Sequence, residues 1–272
     1  MAGDDFDLVV IGAGPAGEKA AAQAAYWGKR VAVVEREARP GGAMAVSAVA
    51  AKTLREAAIY LTGFRRRDVY GVGLDLSADD AVRRLRARTD QVVDTMTAVV
   101  VENLKRHGIE VVYGEARLQP DRSVAVDGSR TLRADVVLIA TGSRPFHPPG
   151  IAFDHTDVLD SESARALERP MQSLVVIGGG AVGCEYASIF TALGTDVTLV
   201  DSGPRLLPFM DGEVSAALAG IFRSLGMTVV QGAGHPMVGR DGDGVRVELA
   251  DGNVLRPEKV VFAAGRAGNT EG

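Results

Sequence analysis

Four short apolar runs, each closed by glycine or by an acid, set the pattern of this chain. The run at residues 8–11 (LVVI) leads into Gly12-Ala13-Gly14-Pro15-Ala16-Gly17, and the run at 31–34 (VAVV) ends on Glu35. The run at 174–177 (LVVI) leads into Gly178-Gly179-Gly180-Ala181-Val182-Gly183, and the run at 197–200 (VTLV) ends on Asp201. Runs of this length, apolar throughout except for Thr198 and bounded by turn residues, predict strands buried on both faces. The Ala-rich stretch after each glycine cluster predicts a helix. In both copies the acid falls 23 residues after the first glycine. Strand, glycine turn, helix, strand and acid therefore occur twice in register.

The repeat continues further along the chain. Alternating apolar residues flank Asp127-Gly128, and a run at 136–139 then ends in Ala140-Thr141-Gly142. The same pattern flanks Asp251-Gly252 and leads through 260–262 to Ala263-Ala264-Gly265. Alternation around Asp-Gly predicts antiparallel hairpins, each feeding a buried strand. The fingerprints lie 166 residues apart and these later strands only 123, so the first half carries about 43 additional residues. That excess lies between Gly41-Gly42 and a strand at 109–113. Its pattern predicts one helix over 44–61 and a second over 79–107, stopped by His107-Gly108. Three prolines within 145–149 prevent both helix and central strand and place a boundary near residue 150. The expected domains are thus 1–149 and 150–272.

Composition narrows the class. A 46% hydrophobic fraction with 33 glycines among 272 residues suits an α/β protein with many tight turns. The net charge of −5 and pI near 5.5 argue against nucleic acid or an anionic membrane as the main partner. The arginines at 65–67 and 83–88 read as solvated faces. No run is long enough to span a bilayer, and the acidic start is unlike a secretory signal. The single cysteine, Cys184, excludes an internal disulfide and any multi-cysteine metal site. A reducing cytoplasm is the expected location. The thiol reads as a small buried residue, and the four histidines share no ligand-like spacing.

The glycine clusters carry the chemistry. In such a turn the first glycine permits the reversal from strand to helix. The second lets backbone approach a pyrophosphate, and the third lets helix pack on strand. The helix N-terminus offers unpaired N–H groups to phosphate, and an acid ending the next strand accepts from ribose hydroxyls. One such motif is weak evidence; two in full context predict two dinucleotides held by two Rossmann-like domains in an α/β, three-layer (ββα) arrangement.

The chain resembles the flavoprotein disulfide reductase superfamily. The resemblance rests on Gly12–Gly17 with Glu35, Gly41-Gly42, Lys52, Ala140-Thr141-Gly142, Gly178–Gly183 with Glu185, and Ala264-Gly265-Arg266. Within it, the stretches at 52–57, 142–145, 183–190 and 265–270 are similar to the soluble pyridine nucleotide transhydrogenases. The resemblance implies FAD in the first domain, with its phosphates on Gly12, Gly14 and Gly17 and its ribose on Glu35. Arg36, Gly41, Gly42, Ala116, Thr141 and Gly142 would line the remainder. It implies NAD(H) or NADP(H) in the second domain on Gly178, Gly180, Gly183, Asp201, Arg205 and Gly265. Lys52 and Glu185 match a catalytic pair beside flavin and nicotinamide. The implied reaction is hydride transfer from NADPH to NAD through the flavin. A carboxylate at 201 suits the free 2′-hydroxyl of NAD, and Arg205 is the one basic residue placed for a 2′-phosphate.

Three departures qualify the resemblance. The stretch 43–52 (AMAVSAVAAK) has no cysteine, and dithiol exchange needs two thiols, so disulfide reductase chemistry is excluded. Ala50-Ala51 replace the usual Pro-Ser before the lysine. Superfamily members also continue into a further flavin-contacting strand, a catalytic histidine and a dimerisation domain; this sequence stops before them. The resemblance implies a homodimer for full-length members and leaves the oligomeric state of these 272 residues open. Two alternatives stay open: an NAD(P)H oxidoreductase of diaphorase type, and a dinucleotide-binding module without turnover.

Overall fold

The computed structural model describes residues 4–42, 48–65, 78–166, 169, 171–242 and 244–271. The cysteine-free stretch at 43–47, the expected start of the first additional helix, and Arg66 and Arg67 lie outside the described residues. By packing, the chain divides into two compact units. One comprises Met1–Val49, Asp90–Arg144 and Gly268–Gly272; the other comprises Ala50–Thr89 and Pro145–Ala267.

The first unit is built on β1 (Asp5–Ile11), α1 (Pro15–Tyr26) and β2 (Val31–Glu35), followed later by β3 (Glu110–Tyr113), β4 (Ala116–Leu118), β5 (Val124–Val126) and β6 (Arg130–Ile139). Its sheet runs β3-β2-β1-β6-β5-β4, with β3, β2, β1 and β6 parallel. The pleat sends successive residues to opposite faces. Val10 and Val33 therefore pack with Ala21 and Ala22 of α1 and with Val100 and Leu104. Val9 and Val34 pack with Val124, Val126 and Leu132 of the antiparallel hairpin. Helices on one face and a hairpin on the other give the expected three layers. Asp127 and Gly128 both adopt left-handed φ, +48° and +64°, at the centre of a turn that the Ser129 N–H closes onto the Val126 carbonyl.

The second unit repeats this plan. Its parallel sheet, in the order β11-β10-β9-β15-β8, takes β8 (Val158–Asp160), β9 (Ser173–Ile177), β10 (Asp196–Val200), β11 (Thr228–Val230) and β15 (Lys259–Phe262). Helices α4 (Ala181–Leu193) and α5 (Gly212–Ser224) cover one face through Ala187, Phe190, Ala219 and Phe222. A meander of β12 (Met237–Asp241), β13 (Gly244–Glu248) and β14 (Val254–Leu255) covers the other through Val245 and Val247. Two short strands, β7 (Ser143–Pro145) and β16 (Arg266–Gly268), lie where the chain passes from one unit to the other.

The additional residues of the first half form α2 (Ala50–Arg65) and α3 (Ala78–Arg106). A division at residue 150 would assign both to the first half, but α2 groups with the second unit. Its apolar face explains this: Leu54 and Ala58 share a buried cluster with Ile189 of α4, and Ala51 packs into the core beside Cys184 and Tyr186. Residues 78–89 of α3 belong to the second unit and 90–106 to the first. The helix ends as expected at His107-Gly108, with Gly108 at φ +66° and the Ile109 N–H closing onto the Leu104 carbonyl.

Candidate dinucleotide sites

The two glycine turns share one geometry. Gly12 has φ +105° and Gly178 +115°, and a Cβ at either would stand 2.4 Å from the Ala140 carbonyl oxygen or 2.7 Å from that of Ala263. Gly17 and Gly183 pack their helices onto the turn: a Cβ there would lie 1.9 Å from the Gly12 oxygen and 1.8 Å from the Gly178 oxygen. Sterics within the protein thus require glycine at the first and third positions.

The middle glycine is different. Gly180 has an ordinary φ of −76°, and an added Cβ would meet no atom within 4 Å. Gly14, at φ −70°, would meet only the Gly42 Cα at 3.9 Å. Nothing among the described residues demands glycine at 180. Both residues are helix N-caps without a side-chain cap, so the first N–H groups of α1 and α4 have no such acceptor. Helix α5 shows the contrast, because Asp211 there accepts from the Glu213 N–H at 2.8 Å. Open space over an uncapped N-terminus is where a pyrophosphate fits, and a side chain at 14 or 180 would fill it.

Each acid reaches back into its own turn. The Glu35 carboxylate accepts from the Ala13 N–H at 2.8 Å through one oxygen and from the Glu37 N–H at 2.8 Å through the other. Asp201 accepts from the Gly179 N–H at 2.9 Å through Oδ1. Six residues beyond each acid, the chain returns to the same turn. The Gly41 N–H donates to the Ala13 carbonyl, and the Leu207 N–H donates to the Gly179 carbonyl. Gly41 and Gly42 take positive φ, and a Cβ on Gly42 would sit 3.1 Å from the Gly14 Cα. The second loop instead holds Leu207 at φ +46° and buries Leu206. This return contact was not foreseen; the shared spacing after each acid was the available signal.

The remaining expected residues are distributed as follows. Thr141 and Gly142 follow the end of β6, and both engage Asn269: the Thr141 hydroxyl donates to the Asn269 carbonyl at 2.7 Å. The Asn269 side-chain amide returns a bond to the Thr141 carbonyl at 2.9 Å, and its main-chain N–H donates to Gly142. Arg144 pairs with Glu271 in the same unit. Asn269 is thus a structural partner that motif reading missed. Ala116 opens β4 opposite Val126, and Arg36 is exposed and pairs with Glu37. Gly265, at φ +123°, accepts from the Phe146 N–H. Arg205 Nη2 donates to the Pro208 carbonyl at 2.9 Å.

Lys52 is exposed on α2, and Glu185 is half-buried in the first turn of α4, the helix on which α2 packs. Among the described residues no ion pair joins them. Cys184 is buried with its thiol directed at the Gly179 carbonyl, and burial, aided by Asp201, pushes it up to about 11. It is no activated thiol. Asp160 accepts from His147 at 2.8 Å and from the Ser163 and Glu162 N–H groups. Its burial raises the carboxyl, but these bonds together outweigh burial and hold it below its ordinary value. Among the described residues no cluster of His, Cys, Asp and Glu could hold a metal, and no helix is long and apolar enough to cross a membrane.

Two α/β units, each with a glycine turn over an uncapped helix N-terminus and an acid beside it, define a Rossmann-like α/β protein with a duplicated turn. The chain belongs to the pyridine nucleotide-disulphide oxidoreductase family, which it matches over residues 6–272. It is 39% identical over 273 aligned positions to the soluble pyridine nucleotide transhydrogenase of Mycobacterium tuberculosis, and 36% identical to that of Chromohalobacter salexigens. These alignments cover 98% and 100% of this chain but 58% and 59% of the relatives, so the chain spans under two thirds of their length. Among solved structures, LpdA from M. tuberculosis superposes with a TM-score of 0.86 at 28% identity, covering 97% of this chain and 60% of that one. The HOCl-induced flavoprotein disulfide reductase RclA from Escherichia coli gives 0.83 at 26%, covering 98% and 58%.

Proposed function

We propose that the first unit binds FAD, that the second binds a nicotinamide dinucleotide, and that the protein transfers hydride between NADPH and NAD. The observation that carries this reading is the middle glycine of the second turn, which no internal contact requires and which leaves room for a pyrophosphate. The family match and the relatives named transhydrogenases support it. Bound FAD would supply the hydride acceptor and donor. The chain's own residues would bind and orient: Gly14 and Gly180 admit phosphate, and the N–H groups of α1 and α4 neutralise it. Glu35 and Asp201 fix the riboses. Glu185, helped by Lys52, would orient the nicotinamide ring and balance charge as hydride moves. No protein nucleophile is needed, in keeping with the single buried thiol.

The test combines spectroscopy with one substitution. Flavin absorbance of the FAD-saturated protein is expected to bleach with NADPH under anaerobic conditions and to recover with NAD⁺. Recovery only with a dye or quinone would favour the diaphorase reading, and failure to take up FAD would leave a nucleotide-binding module. Gly180→Ala should weaken nicotinamide dinucleotide binding at least about tenfold while melting within about 3 °C of the parent. Equal affinity in that variant would overturn the placement of the site.

A further inference from the structure

We infer that Arg165 receives the nicotinamide half of the dinucleotide in the second unit, its guanidinium donating to the carboxamide oxygen of the ring. This rests on the reading of that unit as a nicotinamide dinucleotide site, and it adds a residue that none of the sequence motifs contains. The starting point is an unsatisfied cation. Arg165 sits in a single 3₁₀ turn, Ser163–Ala166, just after β8. The residue is half-buried and its Nε is fully buried, yet among the described residues the guanidinium has no hydrogen bond and no ion pair. Most buried donors find an acceptor, so an orphaned one on a cation calls for an acceptor from outside the chain. Arg266, at the same end of the sheet, shows the contrast: it pairs with Glu162 at 2.9 Å.

The fold puts Arg165 on the ligand side. Strands β8, β15 and β9 run parallel, so the turn after β8 and the glycine turn after β9 lie at the same, carboxyl end. Strands β10 and β11 lie on one side of β9, and β15 and β8 on the other. A dinucleotide crosses such a sheet where the strand order reverses, with its pyrophosphate on the glycine turn. With the adenosine ribose on Asp201 at the end of β10, the nicotinamide half extends over β15 toward β8 and Arg165. The turn that carries Arg165 is pinned. Asp160 Oδ1 accepts from the Glu162 and Ser163 N–H groups at 2.9 and 2.7 Å, and the Tyr186 hydroxyl donates to the Ser161 carbonyl at 2.6 Å. Ala164 packs with Ala51, Cys184 and Tyr186. Burial pushes the Tyr186 hydroxyl up, the Arg165 guanidinium opposes this, and the Glu185 carboxylate adds to it. A cationic donor and a carboxylate acceptor are thus both within electrostatic reach of Tyr186. A carboxamide needs both, a donor for its oxygen and an acceptor for its NH₂.

Isothermal titration of the full chain in saturating FAD tests the inference. The ligands are NAD⁺, AMP and nicotinic acid adenine dinucleotide, in which a carboxylate replaces the carboxamide. Arg165→Met should weaken NAD⁺ about fivefold or more, and the carboxylate analogue about twentyfold or more, because a charge pair is lost as well. AMP carries only the adenosine half and should bind parent and variant within about twofold. The nucleotide-free melting temperature of Arg165→Met should be unchanged or higher, since a buried donor without an acceptor has been removed. Arg165→Lys keeps the charge and should lose less affinity for the analogue than Arg165→Met. NAD⁺ affinity within about twofold of the parent in Arg165→Met, equal losses for the two dinucleotides, or a matching loss for AMP would each overturn the inference while leaving the dinucleotide site standing. So would a lowered melting temperature, or no advantage of lysine over methionine. Binding of none of the three ligands by the parent protein would overturn both.

Discussion

The two units start from the same fingerprint and finish their sheets differently. In the second, β15 lies between β9 and β8, parallel to both, and all four of its residues are buried. In the first, the corresponding strand β6 pairs with β1 over residues 133–139, while the hairpin strand β5 reaches only residues 130–132 on its other side. Among the described residues no strand covers that side of 133–139, and Val136 and Ile139 are 57% and 59% exposed. The third glycine and the acid of each turn are held by contacts within about thirty residues, while the first glycine also meets a distant strand end, Ala140 or Ala263; a strand edge is fixed by whatever chain lies next to it. The acids differ in how they hold the turn: each oxygen of Glu35 accepts one main-chain N–H, whereas Asp201 accepts one through Oδ1.

The largest effect should come where the units agree. Gly17→Ala and Gly183→Ala each drive a methyl to within 2 Å of a carbonyl oxygen that the backbone cannot move aside. Each should cost about 3 kcal/mol or more, read by denaturant unfolding. A loss below about 1 kcal/mol in either would show that the two turns are not equally tight. Next come the acids, where the units should separate. Glu35→Ala strands two N–H groups and should cost about 2–4 kcal/mol, against about 1–2 kcal/mol for Asp201→Ala, which strands one. Similar losses would erase the distinction drawn between them. The smallest effect needs no substitution. Amides of β6 at 134–139 should exchange with deuterium about tenfold or more faster than those of β15, because among the described residues this part of β6 pairs with β1 alone, whereas β15 pairs on both sides. Equal protection would mean that the open edge is covered in solution.

Much of this was legible in the chain. The strands at 8–11, 31–34, 174–177 and 197–200 form where continuous apolar runs placed them, and both Asp-Gly turns fall between paired strands. Local chemistry explains that success: a left-handed turn needs glycine or aspartate, and a strand buried on both faces needs apolar residues throughout. The grouping of α2 was not legible. Its Ala-rich pattern declares a helix but does not name the surface that Leu54 and Ala58 will meet, and that surface proved to be α4. Asn269 was invisible for a related reason, since a bond between residues 128 apart leaves no periodic trace.

The sequence by itself determined two ββα units, the positions of both glycine turns and the acids beside them, and the lack of a second thiol, because each follows from residue type and short-range spacing. Only the tertiary structure decided how many oxygens each acid commits to its turn, where Arg205 places its guanidinium and which unit claims α2. Those outcomes depend on contacts between segments distant in the chain, and such contacts are set by packing and by competition for hydrogen bonds.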